Sequence, residues 1–213
     1  MKLTAAKSRK LGRPADTDST DTRDRIIECA LSRFASDGFE GTTNKEIAEL
    51  ARMSSAALYH YFPSKADIYV AVCEAITETL GAAFLKACST RKTLVGRLEV
   101  LFAEVSELGA RSPASVGFIT GISAVVRKHP EVSRGTDRFG LEFRRLTIEL
   151  IETAEEKDHV LQGASVDSFA DVTSSVLAGL GRMSARGDQA RHVAAADSYL
   201  RLIRSVAQNR LSP

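Results

Sequence analysis

Residues 42–65 read Thr-Thr-Asn-Lys-Glu-Ile-Ala-Glu-Leu-Ala-Arg-Met-Ser-Ser-Ala-Ala-Leu-Tyr-His-Tyr-Phe-Pro-Ser-Lys, and few folds accommodate them. Thr42 and Thr43 are good helix N-caps, and Glu46, three positions beyond Thr43, completes a capping-box pattern. Ile47, Leu50 and Ala51 then repeat at helical spacing and give a short helix one apolar side. Arg52 and Met53 make a turn, and Ser54 is a second N-cap. The helix it opens, Ser55 to Phe62, is anchored by Leu58 and Phe62, four residues apart. Pro63 and Ser64 end it, because a proline disfavours α geometry at the residue before it. Lys65 falls in the first turn of the next helix, where free backbone N–H groups favour an anion. Ser55, Ala56, Ala57, Tyr59, His60 and Tyr61 remain for the free faces of the second helix. Such a pair of helices is a helix-turn-helix sized for a DNA major groove. On patterning alone, an ordinary helical hairpin with a solvated aromatic face is the alternative.

Leu-Tyr-His-Tyr-Phe-Pro-Ser-Lys at 58–65, preceded by Ile-Ala-Glu-Leu-Ala and Thr-Thr, resembles the tetracycline-repressor (TetR) family of bacterial transcription regulators. The segment 22–43, Thr-Arg-Asp-Arg-Ile-Ile-Glu-Cys-Ala-Leu-Ser-Arg-Phe-Ala-Ser-Asp-Gly-Phe-Glu-Gly-Thr-Thr, is similar to that family's first helix and its glycine exit. The resemblance covers residues 20–85; beyond them only length and helical character agree. It implies an all-α fold: an N-terminal three-helix DNA-binding domain and a C-terminal helical domain for ligand binding and dimerisation. It also implies a double-stranded DNA operator of inverted half-sites, a homodimer and a small-molecule effector, and no cofactor. Two positions depart from the family. Its turn usually carries Gly where this chain has Arg52, so either the turn avoids positive φ or Arg52 is strained there. Its recognition helix often has Lys and Gly where this chain has Ser55 and Ala56, which leaves the operator sequence open.

The expected DNA surface comprises Thr43, Lys45, Ser54, Ser55, Ala56, Ala57, Tyr59, His60, Tyr61 and Lys65. Thr43, Tyr59, Tyr61 and Lys65 suit phosphates, which set register. Lys45, Ser55, Ala56 and Ala57 suit base edges, since Ala can touch a thymine methyl and Ser can donate or accept. His60 suits either role.

Net charge is only +2, so its distribution matters more. Residues 1–13 hold Lys2, Lys7, Arg9, Lys10 and Arg13 and no acid. Either they form a solvated tail, or Arg9, Lys10 and Arg13 form an arm along phosphates or into a minor groove. Residues 15–22 are polar and acidic and read as a hinge. The expected division is a basic disordered arm over 1–20, a DNA-binding domain over 21–81 with its helix-turn-helix near 43–62, and a helical body over 82–213. No apolar run approaches the roughly 18 residues of a membrane span. The N-terminus has no apolar signal-peptide core, so a cytoplasmic protein is expected. Cys29, Cys73 and Cys88 are scattered, without a C-x-x-C pair; Cys29 and Cys73 read as buried apolar residues.

Helical periodicity runs through the rest, for about nine helices. The spacing predicts helices over 22–37, 65–87 and 93–109, one that Pro113 starts and that ends before Pro130, and others over 136–158, 166–186 and 189–209, besides the short pair. On the last two, Val172, Ser175, Val176, Gly179, Leu180, Met183, Tyr199, Leu200 and Ile203 form matching stripes with small residues. They read as an intramolecular hairpin or, as the resemblance implies, the dimer interface. Phe102, Phe118, Ile122, Phe139 and Phe143 line a pocket or fill a core. Arg127, Arg144 and Arg145 face an anionic ligand or solvent.

Nothing supports an enzyme. There is no Walker A, H-E-x-x-H, G-x-S-x-G or G-x-G-x-x-G, and Ser89-Thr-Arg-Lys92 matches S-x-x-K without its companion motifs. The leading expectation is a repressor released from its operator by a small molecule. A DNA-binding dimer without an effector is the alternative, and a helical enzyme or carrier is the third.

Overall fold

The computed structural model describes residues 15–208, which form ten α-helices, one 3₁₀ turn and an isolated β-bridge. In order the helices are α1 (Ala15–Gly41), α2 (Asn44–Leu50), α3 (Ser55–Tyr61), α4 (Lys65–Thr90), α5 (Leu94–Arg111), α6 (Pro113–Lys128), α7 (Ser133–Glu152), α8 (Lys157–Leu161), α9 (Val166–Ala185) and α10 (Gln189–Gln208). The fold is the expected all-α one, with more helices and with its largest differences in bounds at two places.

The first is the N-terminus. Residues 15–20, expected in the arm and hinge, are already helical in α1. The second is α7. It ends at Glu152, short of 158, because Glu155 leaves the helix to exchange backbone bonds with the α4–α5 loop. Its N–H donates to Lys92 O at 2.9 Å, and its carbonyl accepts from Leu94 N–H at 3.3 Å. Glu156 then turns left-handed (φ 58°) and α8 follows as an additional short helix.

Gly38 interrupts α1 with φ 73° and ψ 176°, a conformation that favours glycine, and so turns Phe39 back onto the core. The buried Thr42 hydroxyl then donates to Gly38 O at 2.7 Å. Phe34, Phe39, Tyr69 and Phe118 form one aromatic cluster, with Phe34–Tyr69 centroids 5.1 Å apart and Tyr69–Phe118 centroids 4.6 Å apart. Phe118 belongs to α6, so the core under the helix-turn-helix runs on into the body without a break at residue 81.

α4 is long and apolar enough to cross a membrane, which the expectation of no such stretch overlooked. In this fold it is a core helix, burying Tyr69, Val72, Cys73, Ile76, Leu80 and Phe84 among others. Burial pushes the Cys73 thiol up to about 12, so it stays protonated. Cys29 is half-buried, less enclosed than expected. Where α4 meets α7, Gly135 allows close approach: a Cβ there would lie 2.6 Å from both methyls of Val70. A second core holds Phe84, Leu98, Leu101, Phe102, Leu150, Ile151, Leu180 and Ile203. Beside it the buried Arg97 donates to Leu150 O at 2.8 Å and to Thr153 Oγ1 at 2.7 Å, capping the C-terminal end of α7.

Candidate nucleic-acid interface

The helix-turn-helix is built as its caps require. Thr43 accepts from Glu46 N–H at 3.2 Å, while the Glu46 carboxylate accepts from Thr43 N–H at 2.8 Å. The Thr43 hydroxyl, which donates to that carboxylate at 2.8 Å, and then the Thr43 N–H hold the Glu46 carboxyl below its usual range. Arg33 reaches Glu46 at 2.8 Å and Asp37 at 2.9 Å, so α1 and α2 are clamped by one guanidinium. Ile47, Ala48 and Ala51 are buried, whereas Leu50, expected on the apolar side, is half exposed. In the turn Arg52 takes φ 56°, the strained of the two alternatives, and Arg25 Nε donates to Ala51 O at 3.2 Å beside it.

Ser54 caps α3 by accepting from Ala57 N–H at 3.1 Å. Leu58 and Phe62 anchor the helix in the core, with the Arg23 guanidinium 5.1 Å from the Phe62 ring. The rest of α3 is presented outward. Tyr59 is 52% exposed, Ser54, Ala56 and His60 are exposed, and Ser55 and Ala57 are half-buried. Lys45 and Thr43 are exposed alongside on α2 and its cap. Tyr61 is half-buried and packs with Met53 against the core.

Lys65 is a correction. Its ammonium donates to Phe39 O at 2.7 Å and Thr42 O at 2.9 Å and sits 4.4 Å from the Phe39 ring centroid. Burial lowers its pKa. It ties the 39–42 loop to α4. Local spacing cannot show this, because both acceptors lie more than 20 residues away. The expected arm residues Arg9, Lys10 and Arg13 lie outside the described residues.

In the body, a cavity of about 300 Å³ opens between α4, α5, α6, α7 and α9. Ile122, Phe139 and Phe143 line it, as expected. Phe102 and Phe118 do not: Phe102 is buried beneath Tyr199, centroids 5.3 Å apart, and Phe118 belongs to the aromatic cluster. Leu80, Leu108, Ile119, Thr120, Ser123 and Arg182 complete much of the wall and were not singled out from sequence. Of the arginines considered for an anion, Arg127 is exposed outside the cavity lining, Arg144 is tied to Asp167 and Asp171, and Arg145 to Glu142 and Glu149.

The expected dimer stripe divides. Leu180 and Ile203 are buried in the protomer's own core and Tyr199 stacks on Phe102, so these three face inward. Val172 and Ser175 are exposed, and Gly179 has open space beside it, with only an Arg182 nitrogen 4.0 Å from a built Cβ. Val176, Met183 and Leu200 are half-buried. Val206 of α10 is exposed, and Val193 and Leu202 add exposed apolar side chains that the sequence reading missed.

Residues 26–72 match the family model described as bacterial regulatory proteins, tetR family. The chain is 27% identical to nucleoid occlusion factor SlmA of Klebsiella pneumoniae over 142 residues, 66% of this chain and 70% of that protein. It is 45% identical to the HTH-type transcriptional regulator RutR of Escherichia coli over 53 residues, a quarter of each chain. Among solved structures, a TetR-family transcriptional regulator from Agrobacterium tumefaciens superposes with TM-score 0.75 at 14% identity, covering 86% of this chain and 97% of that one. Salmonella enterica GusR superposes with TM-score 0.71 at 22% identity, covering 94% and 100%. Both structural likenesses show the fold.

Proposed function

The N-terminal domain is that of a TetR-family DNA-binding transcriptional regulator, and from this premise we propose that the protein is a repressor released from its operator by a small molecule held in the body cavity. The observation that carries this is α4. It starts beside the helix-turn-helix at Lys65 and reaches the cavity wall at Leu80, about 22 Å further along one rigid helix. A ligand that favours one position of α4 shifts the populations of DNA-competent and incompetent states, by as much as it prefers one over the other.

In this reading Lys45, Ser55, Ala56 and Ala57 meet base edges, while Thr43, Tyr59 and Tyr61 hold phosphates and Ser54 caps the helix among them. His60 serves either, and Lys65 braces the 39–42 loop behind them. Two protomers pair through the outward faces of α9 and α10, with Val172, Ser175, Gly179, Val193 and Leu202 as the contact. That pairing carries two copies of α3 to successive major grooves, roughly 34–36 Å apart. The matched relative named a nucleoid occlusion factor favours a second reading, a DNA-binding dimer without a small-molecule effector. Fluorescence anisotropy on the gene's own upstream DNA, with a metabolite library added, separates the two. Release by a library member supports the first; tight binding that no member disturbs supports the second.

A further inference from the structure

The cavity wall is apolar almost throughout, and only Thr120, Ser123 and Arg182 bring polar side chains to it. Thr120 spends its hydroxyl proton on Gly117 O at 3.0 Å, which leaves its oxygen as an acceptor. Arg182 is the one charged side chain among the lining residues, and no carboxylate lines the wall. It makes no ion pair or side-chain hydrogen bond among the described residues, whereas Arg144, Arg145 and Arg204 are each held by acids. A cation in the last turn of α9 complements the helix dipole. Arg186, one turn further on and exposed, serves that purpose without touching the cavity.

We propose that the cavity takes a small amphipathic carboxylate, with its apolar body against the wall and its anionic end on Arg182 at the mouth. The proposal rests on the reading of this cavity as the effector site. A guanidinium presents paired N–H groups that match a carboxylate, and it holds its charge at any physiological pH. Because Arg182 is exposed, the anion stays at the solvent edge and avoids the desolvation cost of a buried ion pair. A cationic ligand would meet Arg182 with no acid to receive it, and a neutral one would gain only from the apolar wall. At about 300 Å³ the cavity is at the small end of ligand sites, which run from roughly 300 to 1,000 Å³.

The test is calorimetric titration of the full chain with octanoate, 1-octanol and octylamine, repeated on Arg182→Gln. Octanoate is expected to bind about tenfold more tightly than octanol, with octylamine weakest. Arg182→Gln should remove that tenfold advantage and leave octanol within about twofold of its original affinity. Equal affinity for octanoate and octanol, an equal loss of both in the variant, or binding of no probe would each overturn the proposal. Operator release is followed separately by anisotropy. Octanoate that binds through Arg182 without releasing DNA upholds the ligand class and removes the repressor reading. Release by octanol as readily as by octanoate keeps the repressor reading and overturns the ligand class.

Discussion

Single side chains divide between those whose partners are close in sequence and those whose partners are not. The capping box of Thr43 and Glu46 and the Ser54 cap involve groups three residues apart, so spacing alone identifies them. Lys65 has the position of a phosphate anchor, but its acceptors are 23 and 26 residues away and appear only once α1 and α4 are packed. Lys65→Met keeps the aliphatic stem and removes the donors. It should lower the stability of the chain by about 1–3 kcal/mol in thermal unfolding, because two carbonyls lose a charged partner. The slope of DNA affinity against salt should stay the same. A variant of unchanged stability whose slope is flatter by about 0.9 per protomer would make Lys65 a phosphate contact after all. Tyr59 and Lys45 are both exposed, so their truncation spares the fold. Tyr59→Ala should weaken binding to every sequence, and Lys45→Ala should also blur preference at one or two positions, as measured on specific and random duplexes. Equal losses on both duplexes for both variants would contradict that division.

Helices with side-chain caps and clean periodicity were legible almost to the residue, as α2 and α3 are. α7 and α8 were not, since Glu155-Glu156-Lys157-Asp158 reads as a helix end until Glu155 pairs with Lys92 and Leu94 sixty residues upstream. Nor does any pattern reveal that Gly135 marks the contact between α7 and α4. A methyl there would sit 2.6 Å from Val70, closer than any real carbon contact, so the two helices must part. Gly135→Ala should therefore cost about 1–3 kcal/mol of stability, and Val70→Ala in the same chain should restore much of it. Purely additive losses in that double-mutant cycle would mean the helices yield elsewhere.

For the molecule as a whole, the all-α architecture was evident from helical periodicity along the chain and the helix-turn-helix from 42–65, whereas what covers each apolar helix face was not. Periodicity shows which side of a helix is apolar but not what covers it. Leu180 and Val172 belong to one stripe, yet Leu180 is buried in its own protomer and Val172 is 53% exposed. Val172→Glu should leave the protomer folded and shift a dimer to a monomer in light scattering, because a carboxylate cannot be buried there unpaired. A dimer that survives both Val172→Glu and Leu202→Glu would put the interface on another face. The central claim is that two copies of α3 read one operator. Hydroxyl-radical footprinting of the gene's upstream duplex tests it most directly. The account predicts two protected patches related by a two-fold axis, centred about 10 base pairs or a multiple apart, and lost together in Tyr59→Ala. A single patch, or protection no different from that on random DNA, would contradict it.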